Sequence, residues 1–286
     1  MRILSFLAGG VAHVGVKLPG GVFDLTAAGY SGDITQTIRD FPALKTDMTA
    51  LCGAPGAVLL DEQALTYLPP TAPTAKIICV GLNYKLHVDE TAKGEAPQYP
   101  TTPILFAKFS NALSAHGATV PLSPNAVGYD YEAELVVVMG RGGQDIPAEK
   151  AADYIFGYTC GNDLSARDAQ QLSSQWLIGK SFPGFAPVGP WIVTADELDP
   201  SHLAISCRRG GRLVQSSNTA QMIFDVYTVV SFASKYIRLE PGDLIFTGTP
   251  EGVLLGSAGE SPDWLKAGDE VAVAIEGIGE LTTRFI

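Results

Sequence analysis

Tyr129-Asp130-Tyr131-Glu132-Ala133-Glu134-Leu135-Val136-Val137-Val138-Met139 reads as a strand, with aromatic and β-branched residues leading into an apolar run. Side chains alternate faces along a strand, so Glu132 and Glu134 point the same way. Two carboxylates held side by side repel; they persist if one stays protonated or a cation sits between them. Hard oxygen donors at close range suit Mg²⁺, Mn²⁺ or Ca²⁺. A solvated strand face is the simpler reading of the pair taken alone, and the residues downstream reverse that weighting.

Around this strand the pattern is mostly β. Candidate strands cover 104–109, 154–162, 190–194, 203–208, 243–248, 270–276 and 280–285, and candidate helices cover 148–153, 165–173 and 219–236. Helix and strand do not alternate regularly, which argues against a doubly wound parallel sheet and for an α+β, predominantly β domain, rolled or barrel-like. Residues 1–70 read as a small α/β module with turns at Gly9-Gly10 and Pro19-Gly20-Gly21. Pro69-Pro70-Thr71-Ala72-Pro73 reads as a stiff linker, and a catalytic domain over 71–286 follows. The polar stretch from Asp89 to Pro103 is long enough to suggest a functional loop.

The chain has 286 residues and a formal net charge of -11, with no long basic run, so nucleic acid and anionic membranes are poor partners. Cys52, Cys79, Cys160 and Cys207 form no CxxC, which points to a reducing, cytoplasmic setting. The opening Met1–Ala8 run breaks at Gly9-Gly10 and reads as a strand and turn rather than a signal peptide, and no apolar stretch is long enough to span a bilayer.

Four further features gather around the carboxylate pair. Asp163 closes a probable strand, where it either caps a helix or supplies a third ligand. Arg167 and Gln170, four and seven residues on, return to its helix face. Lys180 stands alone in an apolar, Gly/Pro-rich run; it either snorkels to water or neutralises a developing enolate. Thr247-Gly248-Thr249-Pro250-Glu251-Gly252 follows a buried strand and can close on an anion. His87 and Glu90 share one face of a helical turn, as a base oriented by a carboxylate would.

Gly81-Leu82-Asn83-Tyr84 with His87 and Glu90, Asp130-Tyr131-Glu132-Ala133-Glu134, Asn162-Asp163-Leu164-Ser165-Ala166-Arg167-Asp168, Gly179-Lys180-Ser181-Phe182 and Thr247–Gly252 occur in an order that resembles the fumarylacetoacetate hydrolase family over roughly 76–286. That resemblance implies a mixed β-roll core with a small N-terminal domain, usually homodimeric. It implies Glu132, Glu134 and Asp163 as ligands of Mg²⁺ or Mn²⁺, His87 and Glu90 as a water-activating dyad on a segment that closes over substrate, and Lys180 at the substrate oxyanion. Tyr84, Arg167, Gln170 and Thr249 match substrate-lining positions. The implied activity is metal-dependent hydrolysis of a C–C bond in a 2,4-dioxo acid, an acylpyruvate or a 2,4-diketo-3-deoxy sugar acid, releasing pyruvate. The alternatives are oxaloacetate decarboxylation, isomerisation of an unsaturated 2-oxo diacid and, furthest off, a non-catalytic metal-dependent binding protein. Two departures bear on substrate choice: Pro183 replaces the Asp many members carry after Lys-Ser-Phe, and Val253-Leu254-Leu255-Gly256 replaces a glycine-rich run.

Overall fold

The computed structural model describes residues 1–54, 56–73, 75–92, 96–256 and 262–286. The chain begins with β1 (Arg2–Ala8), β2 (Val11–Leu18), β3 (Gly21–Asp24), the helix α1 (Ile34–Cys52), β4 (Leu59–Leu60) and β5 (Thr66–Leu68). Next come β6 (Ile77–Gly81), α2 (Lys85–Thr91), β7 (Ile104–Lys108), β8 (Leu113–Ala115), β9 (Ala118–Val120), β10 (Tyr129–Asp130) and β11 (Ala133–Met139). They are followed by β12 (Ile155–Asn162), β13 (Ser165–Ala166), α3 (Arg167–Gln170), α4 (Leu177–Lys180) and β14 (Ala186–Thr194). The chain closes with β15 (Ala204–Arg209), β16 (Arg212–Asn218), α5 (Val226–Tyr236), β17 (Leu244–Phe246), β18 (Glu270–Ile275) and β19 (Gly279–Phe285).

The main sheet is mixed, in the order β4-β3-β2-β1-β14-β12-β11-β17-β6-β7, with β5 on β1 and β8 on β14. A second sheet runs β16-β15-β18-β19-β9 and packs on β11, β12 and β14, while β10 and β13 form a two-stranded pair. The fold is α+β and predominantly β, as the sequence suggests. Every residue of β11, β12 and β14 is buried, because these strands are covered on both faces; that explains the uninterrupted Leu135–Met139 run. β1 pairs antiparallel with β14 (Arg2 opposite Val193), so the N-terminal strands continue the main sheet. The Pro-rich segment between them is packed down: Thr71 is buried and its hydroxyl donates to the Gly242 carbonyl at 2.6 Å.

Three helices differ from the sequence reading. Residues 148–153 lie in a 3-10 helix, Ala148–Tyr154. Of 165–173, the first two residues pair with β10 and only Arg167–Gln170 is helical. The helix read over 219–236 starts at Val226, where Asp225 accepts the Thr228 N–H at 2.7 Å and caps α5. Glu132 also departs from a regular strand. It lies between β10 and β11, its N–H donating to Asn162 Oδ1 at 2.9 Å and its carbonyl accepting from the Asp163 N–H at 2.9 Å. This exchange joins the start of β11 to the end of β12 and brings Asp163 beside the carboxylate pair.

Candidate active site

Glu132, Glu134 and Asp163 each present an oxygen within 4.8 Å of the others, and all three are buried. Asp163 is no helix cap; its carboxylate is held by two lysines. Lys180 Nζ donates to Asp163 Oδ2 at 2.8 Å and to Glu132 Oε2 at 2.6 Å. Lys108 Nζ donates to Asp163 Oδ1 at 2.5 Å and to the Leu164 carbonyl at 2.9 Å. Arg167 spans the other side: Nε reaches Asp130 Oδ2 at 2.9 Å, one terminal nitrogen reaches Glu132 Oε1 at 2.7 Å and the other reaches Gln170 Oε1 at 3.1 Å. Four buried carboxylates thus face three buried cations (Asp130, Glu132, Glu134, Asp163 against Lys108, Arg167, Lys180).

The carboxylates do not share this charge evenly. Burial opposes ionisation of Glu132, but Lys180 and Arg167 overcome it and hold the carboxyl below the usual range. Glu134 touches neither cation; burial, then the charges of Asp163 and Glu132, push it well above that range, and among the described residues its hydrogen-bond donor is the Gly248 N–H at 2.7 Å. Burial alone would lower Lys180, and Asp163 and Glu132 raise it instead. Lys108 goes down, from burial first and the Lys180 charge among the lesser causes.

Gly248 is required where it stands. Its φ is +98°, and a Cβ there would lie 2.7 Å from Asn83 Cβ. Asn83 ties the elements together, donating to the Thr247 and Phe224 carbonyls at 2.7 and 3.0 Å. Thr249 is fixed by Gln215, whose Nε2 donates to the threonine hydroxyl at 3.0 Å while its Oε1 accepts from Ala133 N–H at 3.0 Å.

A cavity of about 450 Å³ opens over the cluster, lined by His87, Glu132, Glu134, Arg167, Gln170, Lys180 and Thr249. His87 is buried on α2, its Nδ1 2.7 Å from Glu90 Oε1, and the second Glu90 oxygen accepts the Gly252 N–H at 2.9 Å. Glu90 therefore touches His87 and does not line the cavity. Tyr84 lies outside the lining. It is fully buried, its hydroxyl has no hydrogen-bond partner among the described residues, and burial with the Glu134 charge raises it far above the ordinary phenol range. Asp130 is no member of the carboxylate triad; it anchors Arg167 and the Leu254 and Leu255 N–H groups. Of the polar stretch after α2, residues 93–95 lie outside the described residues.

Sequence reasoning missed Lys108 and Gln215. Lys108 carried the signal used for Lys180, a single lysine in an apolar run (Ile104-Leu105-Phe106-Ala107-Lys108-Phe109). Gln215 carried none, because one glutamine on a short strand is unremarkable until its amide meets two backbones.

The donor set fits a divalent cation: three hard oxygen donors, close and buried, with burial and the neighbouring charges of Asp163 and Glu132 pushing the pKa of Glu134 upward, a repulsion that a cation would relieve. Residues 76–286 match the model of the fumarylacetoacetate (FAA) hydrolase C-terminal family. The chain belongs to the fumarylacetoacetate hydrolase family. It is similar to the mitochondrial oxaloacetate tautomerase Fahd2a of Rattus norvegicus, with 38% identity over 297 residues covering 100% of this chain and 92% of that protein. Among solved structures it resembles the fumarylacetoacetate hydrolase of psychrophilic Exiguobacterium antarcticum (TM-score 0.84, 33% identity, 100% of this chain and 99% of that one). It also resembles the maleylpyruvate hydrolase of Sphingobium sp. SYK-6 in complex with manganese(II) ion and pyruvate (TM-score 0.79, 29% identity, 100% and 99% covered). Among the described residues, no helix is long and apolar enough to cross a membrane.

Proposed function

We propose that this member of the fumarylacetoacetate hydrolase family catalyses keto–enol tautomerisation of a 2-oxo diacid, with oxaloacetate as the substrate. The observation that carries the reading is His87, held by Glu90, lining the same cavity as Glu132 and Glu134 of the carboxylate cluster: an oriented base beside a place where a 2-oxo acid can be chelated. Similarity over the whole chain to a rat oxaloacetate tautomerase supports the substrate.

Glu132, Glu134 and Asp163 would hold Mg²⁺ or Mn²⁺, and the cation supplies Lewis-acid polarisation of the 2-oxo group. Glu90, accepting from His87 Nδ1–H, leaves Nε2 free as an acceptor. Nε2 takes the proton from carbon 3 as the C2–C3 double bond forms, and returns it to the oxygen on carbon 2, so no atom is gained or lost. Lys180, held against Glu132 and Asp163, keeps a positive charge beside the developing oxyanion. Thr249 and Gln170 are the polar contacts for the substrate's carboxylates, whereas Arg167 is spent on Asp130, Glu132 and Gln170 and acts as a positioning residue.

Hydrolysis of a 2,4-dioxo acid, the main expectation from the sequence, becomes the second reading. It is favoured by the likeness to a hydrolase solved with manganese and pyruvate, and would use His87 to activate water. One set of assays separates the readings. With Mg²⁺ or Mn²⁺ present, faster decay of the enol absorbance of oxaloacetate without pyruvate supports tautomerisation. Pyruvate from acylpyruvates supports hydrolysis, and pyruvate from oxaloacetate supports decarboxylation. A failure to accelerate the enol decay sinks the main reading. His87→Gln is expected to lower kcat by roughly 10²–10⁴-fold, with metal affinity unchanged by calorimetry.

All four cysteines are free thiols. This supports a reducing compartment, for which the cytoplasm is our reading.

A further inference from the structure

Away from the charged cluster the cavity continues along an apolar wall. Val80 and Leu82 at the end of β6, Phe106 on β7 and Trp176 ahead of α4 line it, and Leu255 joins from the loop after β17. The wall starts at the chemistry, because the Lys180 ammonium lies 5.1 Å from the Phe106 ring centre. Phe106 and Trp176 meet edge-on with centres 5.3 Å apart. Trp176 lies directly over Gly81, where a Cβ would come within 2.5 Å of the indole.

Leu255 is held by a separate device. The Leu254 and Leu255 N–H groups donate to the two oxygens of buried Asp130 at 2.9 and 3.1 Å, and Arg167 neutralises that carboxylate. Moving the backbone that carries Leu255 away from the cavity would abandon two hydrogen bonds to a buried charge, which is costly. A four-carbon diacid has no use for such a wall, since its second carboxylate gains nothing against aromatic and leucine side chains.

We infer that Leu255 is a specificity-determining residue, and that the site also takes 2-oxo acids with an unbranched apolar tail beyond carbon 4, the tail lying along Phe106, Trp176 and Leu255. The inference rests on the reading of the cavity as a 2-oxo acid site. Its test uses N-alkyl oxamates, unreactive mimics in which an amide nitrogen replaces carbon 3, titrated calorimetrically into the Mg²⁺-loaded protein from N-methyl to N-hexyl. Each methylene taken from water onto the wall should tighten binding about 4-fold, up to a plateau. Leu255→Gly should weaken N-hexyl oxamate by at least about 10-fold and leave N-methyl oxamate within about 2-fold. Leu255→Met, which keeps the volume and the apolar surface, should retain the gain. A flat wild-type series, or an equal loss on both oxamates in Leu255→Gly, overturns the inference and leaves the 2-oxo acid reading intact. If not even N-methyl oxamate binds, the 2-oxo acid reading falls and takes the inference with it.

Discussion

At the scale of single residues, the site is an exercise in burying charge. Lys108 is completely enclosed and bonds one oxygen of Asp163. Lys108→Met should cost about 3–5 kcal/mol in the metal-free protein, as expected when one partner of a buried pair is removed, and urea unfolding measures it. Added Mg²⁺ should recover part of the loss, because a dication restores charge the lysine supplied. Glu134 governs a different observable. Its folded pKa lies above its unfolded value, so the folded state holds the extra proton and stability falls as pH rises above the unfolded carboxylate range. Glu132, depressed in the fold, contributes stability above that range that is lost only on acidification. Metal-free Glu134→Gln should therefore lose the downward slope and be more stable than the parent at pH 8, by urea melts at pH 5, 6.5 and 8. Spacing put Glu132 and Glu134 on one face and Asp163 at a strand end, and the family resemblance was what joined the three as a set. The inequality between Glu132 and Glu134 was not, since it depends on which carboxylate the lysine and arginine reach.

Elements carry the site by exchanging backbone partners where they meet. β11 and β17 pair through Val136–Val138 and Leu244–Phe246, and the turn after β17 returns an N–H to Glu134. Gly248→Ala should cost about 1–3 kcal/mol, since the φ there is unfavourable for a side chain. It should also weaken Mn²⁺ binding by calorimetry, because Asn83 would push the Gly248 N–H off the carboxylate. Deeper in the sheet, Leu135→Ala should cost about 2–5 kcal/mol in chemical denaturation, as Leu135 is fully buried on β11, a strand that packs on the second sheet. Strands were read closely because apolar runs and period-two alternation mark them. The helix over 219–236 was drawn too long because its apolar pattern extends past the Asp225 cap, and 165–173 was misread because a two-residue pair with β10 is set by tertiary contact.

For the whole molecule, one continuous main sheet takes in the N-terminal strands through β1 and β14. A pairing between residues 2 and 193 leaves no local trace, so the sequence could mark a module at the N-terminus but not its seam with the rest. Ligand binding should register globally: at a cation concentration 100 times its Kd the fold gains about 2.7 kcal/mol. Chelation with EDTA should accordingly lower the thermal midpoint, and Mg²⁺ or Mn²⁺ should restore it, read by calorimetric melts.

Glu90 joins these scales. One of its oxygens holds the His87 imidazole and the other holds the Gly252 N–H, so α2 and the segment after β17 are bound by a single carboxylate. The molecule behaves as a coincidence detector: the imidazole is aimed only while helix and loop are together. On the tautomerase reading, a substrate that met the two apart would find a base without direction.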